Sequence, residues 1–137
     1  MIEVWLAVVE GEDAAVFAYS VAGARVGTRA RAAALNGLDA HRASRARASS
    51  LVVATGGTPP APASAYELPF AVTSASRARE LMALVDNRLV GLYADAAEAS
   101  SGDERRWAAR SAAENGTRAV GWGATPQAFP TAAVPGA

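Results

Sequence analysis

The stretch Gly56-Gly57-Thr58-Pro59-Pro60-Ala61-Pro62-Ala63-Ser64-Ala65-Tyr66-Glu67-Leu68-Pro69-Phe70-Ala71-Val72-Thr73 decides how the rest of the chain is read. Pro59, Pro60, Pro62 and Pro69 deny it a helix, because each removes a backbone donor and clashes with the preceding turn. Tyr66, Leu68, Phe70 and Val72 are too apolar for a plain solvated linker. The segment is expected to be an extended crossover packed along one core, not a tether between two domains, since neither flanking half makes a good core alone.

Long helical patterns stand on both sides. Residues 2–26 are predicted as the first helix, with Trp5, Val9, Val16 and Tyr19 on one face at steps of three, four and seven, widened by Leu6 and Phe17. Gly27-Thr28 breaks it, and so short a connection favours an antiparallel neighbour. Residues 29–54 form the second helix, with Leu35, Leu38, His41, Ala48 and Val52 inward and Gly56-Gly57 as its stop. Residues 74–99 form the third, capped by Thr73 or Ser74 and carrying Leu81, Leu84, Val85, Leu89 and Leu92. Residues 103–122 form the fourth, capped by Asp103, with Asp103 and Glu104 suiting the positive helix start. Residues 124–137 read as an extended tail, with Phe129 tucked onto the bundle.

Composition narrows the function classes. The 137 residues include 36 Ala, 13 Arg and no Lys or Cys. Hydrophobic residues at 51% and a formal net charge of +0 exclude intrinsic disorder. Thirteen basic residues against thirteen acidic ones give no global field toward nucleic acid, so a nucleic-acid partner is not expected. No uncharged apolar run approaches about 18 residues, so no membrane span is expected. The start, MIEVWLAVVEGED, lacks the basic flank and cleavage site of a secretory signal, and the default expectation is cytoplasmic. Without Cys there are no disulfides, thiolate metal sites or thiol catalysis. No G-x-S-x-G elbow, Walker pattern or dinucleotide-type glycine motif occurs, which removes the hydrolase and nucleotide readings.

The order helix, short turn, helix, long crossover, helix, short turn, helix is the layout of ferritin-like bundles, whereas an up-down-up-down bundle needs a short second loop. The expected fold is therefore all-α: a ferritin-like four-helix bundle over residues 1–137, two helical hairpins joined by a long Pro-rich crossover. Particular residues agree: Glu12-Asp13-Ala14-Ala15-Val16-Phe17-Ala18-Tyr19 with Gly23-Ala24-Arg25, Ala40-His41-Arg42, Gly57-Thr58-Pro59-Pro60-Ala61-Pro62, Tyr66-Glu67-Leu68-Pro69-Phe70, and Asn87-Arg88-Leu89 with Tyr93-Ala94-Asp95. In these the chain resembles a bacterial ferritin-like domain family of unknown function. The resemblance implies a four-helix bundle related to ferritins. It does not imply iron storage, because no established activity comes with it.

Di-iron bundles take one Glu from each of two helices and a Glu-x-x-His pair from each of the other two. Here Glu12 sits on the inward stripe of the first helix, seven residues from Trp5 and from Tyr19. His41 stands on the second helix, but Leu38 occupies the position of its Glu, and Asp39 is on the wrong side. Asp86 lies on the third helix on a face with Met82, Leu89, Val90 and Tyr93. Glu114 lies on the fourth, seven after Trp107, and Thr117 stands where a second His would be. Three carboxylates and one His cannot supply the six ligands of a di-iron centre. Glu12, His41, Asp86 and Glu114 are thus metal candidates of a degenerate site, with no catalytic residue assigned and no cofactor expected. The favoured reading is a vestigial polar core in which Glu12 and His41 hydrogen-bond one another or pair with Arg88 or Arg118. In that reading His41→Leu is expected to be tolerated.

Function at this level is a non-catalytic structural or interaction module. One alternative is a metal-binding or metal-dependent redox protein holding one Fe, Mn or Zn ion with Glu12 and His41. A second is a binder of an acidic partner through Arg29, Arg31, Arg42, Arg45 and Arg47, a face otherwise balanced by Asp95, Glu98 or Glu104. Trp5 and Trp107 read as core or dimer contacts. The many small residues permit close packing within or between subunits, and a thin Ala-rich core favours a homodimer. The sequence specifies no protein partner.

Overall fold

A computed structural model describes residues 1–126. Four helices make up the ordered architecture: α1 (Ile2–Gly23), α2 (Arg31–Ala54), α3 (Ala75–Ala99) and α4 (Gly102–Gly121), with no strand among the described residues. This is an all-α four-helix bundle.

Close helix pairing joins α1 to α2, α1 to α3 and α3 to α4. Directions follow from the side chains that meet. Glu12 of α1 meets Tyr93 of α3, while Tyr19 meets Asp86, so α1 and α3 are antiparallel. Tyr19 also faces Gly37 while Glu12 faces His41, so α1 and α2 are antiparallel too. Two antiparallel steps from α2 through α1 leave α2 and α3 parallel. Residues 55–74 must therefore return along the bundle before α3 starts, which is why the crossover is long. It packs as it goes: Leu68, Phe70 and Val72 lie against the core, and Tyr66 meets Phe17 at 5.7 Å between ring centres.

Several boundaries differ from expectation. The first helix ends at Gly23 instead of residue 26, and residues 24–30 form the connection. Val26 keeps its seven-residue spacing from Tyr19 and is buried, yet it enters the core from a loop. Gly27, at φ +82°, turns the chain there in a conformation that other residues resist. Leu35 is 54% exposed: the inner face of α2 centres on Ala34, Leu38, His41, Ala48 and Val52, and Leu35 sits about 100° from Ala34. Ser101, not Asp103, is the N-cap of α4, and Asp103 instead places its charge in the first turn, where it pairs with Arg106. Ser74 does cap α3, its hydroxyl accepting from the Arg77 amide at 3.1 Å. The expected tail contact of Phe129, and the whole of the tail beyond Pro126, lie outside the described residues.

No described helix is long and apolar enough to cross a membrane.

Candidate functional site

The centre of the bundle is polar. Glu12, His41 and Asp86, from α1, α2 and α3, are essentially inaccessible at 0%, 1% and 0% exposure. His41 lies between the two acids. Its Nδ1 is 2.6 Å from Glu12 Oε2, and its Nε2 is 2.9 Å from Asp86 Oδ1. The other oxygen of each carboxylate accepts from a phenol: Tyr93 Oη–H donates to Glu12 Oε1 at 2.5 Å, and Tyr19 Oη–H donates to Asp86 Oδ2 at 2.5 Å. Trp122 Nε1–H donates to Tyr19 Oη at 2.8 Å, and an Arg118 nitrogen stands 3.5 Å from Asp86 Oδ1.

The chain of contacts Tyr93–Glu12–His41–Asp86–Tyr19–Trp122 thus draws on three helices and on the residue that caps the end of the fourth. It also contains a repeat. On α1 an acid is followed seven residues later by a tyrosine, Glu12 then Tyr19. On α3 the same spacing gives Asp86 then Tyr93. Because a seven-residue step returns to the same helix face, each acid and its own tyrosine point into one seam. Because α1 and α3 are antiparallel, each tyrosine reaches the other helix's acid.

Burial alone would disfavour a charged imidazole. Hydrogen bonding to Asp86 and Glu12, with their negative charges, outweighs it and holds His41 above its ordinary pKa. Each ring nitrogen faces a carboxylate oxygen, which can only accept, so both are assigned as donating N–H groups, the imidazolium form. Burial, and then the charge of the facing carboxylate, push both phenols far above the ordinary tyrosine value: Asp86 acts on Tyr19 and Glu12 on Tyr93. Both stay protonated donors. Two carboxylates against imidazolium and Arg118 guanidinium make the cluster neutral overall, the condition under which buried charge is tolerable.

Three of the four candidate residues, Glu12, His41 and Asp86, are therefore brought together. Glu114 is not: it is exposed. Its seven-residue relation to Trp107 is real, but Trp107 borders the side where α4 faces α2 without close pairing, so the same face leads to solvent. Ser111 and Asn115 are the buried polar positions of α4. Glu12 and His41 do hydrogen-bond one another, as expected, but neither expected arginine pairs with them: Arg118 stands beside Asp86 instead, and Arg88 is exposed. Tyr19, Tyr93 and Trp122 were legible only as apolar stripe positions or a helix end. The repeated acid–tyrosine spacing is the signal that marks the two phenols.

The donor set does not suit a metal ion. Both ring nitrogens and all four carboxylate oxygens already face a partner within the cluster. The acids flank the ring on opposite nitrogens instead of converging beside one of them. Among the described residues no group of three or more His, Asp or Glu side chains is disposed to hold a metal.

The arginines of α2 are also mostly engaged. Arg45 pairs with the buried Asp13, Arg42 with Asp39 at 3.8 Å, and Arg47 lies 4.5 Å above the Trp107 ring. The balancing acids are thus Asp13 and Asp39, not Asp95, Glu98 or Glu104, because α2 pairs closely with α1.

Residues 5–136 match the family described as Domain of unknown function (DUF4439). The chain belongs to this family. Its fold is similar to that in the crystal structure of a conserved hypothetical protein, rv2844, from Mycobacterium tuberculosis. The TM-score is 0.84 at 25% identity, over 88% of this chain and 92% of that one. No curated protein matches.

Proposed function

We propose that this family member is a non-catalytic structural or interaction module on a ferritin-like bundle, with Glu12, His41 and Asp86 serving as a self-satisfied polar core. One observation carries the reading: both nitrogens of His41 are engaged by carboxylates, at 2.6 Å and 2.9 Å. A ligand histidine must offer a lone pair, and an imidazolium has none to offer. The ferritin-like kinship is supported by the parallel placement of α2 and α3 across a long crossover. Buried polar groups of this kind fix helix register, because only one alignment satisfies every member.

Elemental analysis of the purified protein, before and after incubation with Fe(II), Mn(II) or Zn(II) and desalting, tests this. The expected result is no retained metal. About one equivalent or more, lost in Glu12→Ala, would replace this reading with a metal-binding one.

A homodimer extends the proposal. Leu35, Val53, Leu84 and Val120 remain exposed on a bundle whose core is largely alanine and valine. Light scattering that gives only the 13.9 kDa monomer at all concentrations would remove the dimer.

A further inference from the structure

Where α2 and α4 face each other without close pairing, the outer end of the polar chain opens into a groove of about 460 Å³. Arg29, Arg79 and Arg118 line it, with Trp122, Asn36 and Gly37. No carboxylate lines it. Arg118 is matched by Asp86 beneath the floor. Arg29 and Arg79 have no ion-pair partner among the described residues. The guanidinium of Arg79 instead lies 5.6 Å from the centre of the Trp122 ring. Glu114, a turn before Arg118, is exposed and does not line the groove.

Two uncompensated positive charges thus flank a concave surface of ligand-binding size. Arginine forks match oxyanions with several terminal oxygens. A phosphate monoester carries close to two negative charges near neutral pH and offers three such oxygens. Beside the arginines, Ala30, Ala33 and Gly121 are small, which leaves room in the groove next to Trp122 for an apolar body.

We propose that this groove binds a small organic phosphate monoester, its phosphoryl group held by Arg29, Arg79 and Arg118 and its body laid along Trp122. The site goes beyond the reading of the buried core, and its failure would leave that reading standing.

The indole resonances of the uniformly ¹⁵N-labelled full chain provide the test. There are three tryptophans, so three Nε1–H signals, and only that of Trp122 belongs to the groove. Titration with phenyl phosphate should displace the Trp122 signal saturably, with Kd below about 1 mM, and leave those of Trp5 and Trp107 in place. Inorganic phosphate should bind more weakly for want of a body, and benzoate more weakly for want of the second charge. Arg29→Gln and Arg79→Gln should each weaken binding about tenfold. Both side chains are exposed, so unchanged helical circular dichroism is expected. No saturable shift up to about 10 mM would overturn the site. So would affinity indifferent to both substitutions, or phthalate binding as tightly as phenyl phosphate.

Discussion

The two ends of the buried polar chain are built from the same unit and finished differently. At one end Tyr93 donates to Glu12, and its ring stands edge-on to Trp107 at 5.4 Å. Trp107 stacks on Trp5 at 5.7 Å, and Arg47 covers its outer face. Trp5 is fully buried, and its Nε1 has no partner among the described residues. At the other end Tyr19 donates to Asp86, and the next aromatic, Trp122, stands edge-on to the Tyr19 ring at 6.4 Å but is also hydrogen-bonded to its phenol, with no second tryptophan stacked beyond it. Arg118 is also within reach, and the groove lies outside. One end is closed by aromatic packing; the other is polar to the surface. The repeated acid–tyrosine spacing thus makes a symmetric centre, and the fourth helix breaks the symmetry by placing Trp107 at one end and Arg118 with Trp122 at the other.

The largest expected effect comes from removing the group both ends share. His41→Leu leaves Glu12 and Asp86 buried with only Arg118 nearby, and Arg118 stands beside Asp86 alone. A loss of about 3–5 kcal/mol in chemical unfolding is expected, the usual cost of stranding one partner of a buried ion pair. This reverses the tolerance expected from the sequence, which assumed a relaxing partner where the structure has two flanking carboxylates. Neutralising those acids as well, in Glu12→Gln/His41→Leu/Asp86→Asn, should recover much of the loss. Equal instability of the single and triple variants would show that packing, not charge, is what His41 supplies.

A comparison of the two phenols tests the ends directly. Tyr93→Phe leaves Glu12 Oε1 without its donor in a closed site and should cost about 1–3 kcal/mol. Tyr19→Phe breaks two hydrogen bonds, to Asp86 and from Trp122. Yet Arg118 and water from the groove can approach the freed atoms, so the cost should be smaller, about 1 kcal/mol or less. If Tyr19→Phe proves the more damaging in denaturant titrations, the distinction between a closed and an open end fails.

The proton on His41 gives a gentler handle. The folded chain holds it more tightly than the unfolded chain does. The stabilisation is therefore complete below the unfolded value near about pH 6.5 and is lost as pH rises through the higher folded value. Stability should fall across that window with a slope of at most about 1.4 kcal/mol per pH unit. Because the chain has a single histidine, its ring resonance reports the titration without assignment ambiguity. Unfolding midpoints that rise between pH 6.5 and 9 would contradict an imidazolium between two carboxylates, and His41→Gln should flatten the profile.

How much of this was legible in the sequence differs between fold and site. Four prolines between residues 59 and 69 and the helical spacing on either side were enough for the helix order and the long crossover. Helix ends were less so, because Val26 satisfies a helical spacing from a loop. For the site, inward position identified Glu12, His41 and Asp86, since each shares a face with large apolar residues. It failed for Glu114, whose reference, Trp107, stands at a helix–helix border that no single-helix pattern reveals. It also failed to separate the tyrosines from ordinary core, because a buried phenol and a buried phenylalanine occupy the same stripe. Gly37 shows a further limit: a Cβ there would run into the Tyr19 ring. That contact lies between helices and is invisible in either one.

The smallest effect concerns the cover over the closed end. Arg47 is exposed, and its guanidinium lies over the Trp107 ring with no ion-pair partner among the described residues. A cation at such a site contributes about 0.5–1 kcal/mol through the ring's negative face, and the stem covers apolar surface besides. Arg47→Gln should lower stability by about that amount, while Arg47→Lys should retain part of it. Neither should move the His41 resonance, because Trp107 and Tyr93 lie between. A shift of that resonance in Arg47→Gln would mean that charge at this surface reaches the buried cluster, and the stacked tryptophans would then be a weaker seal than their packing implies.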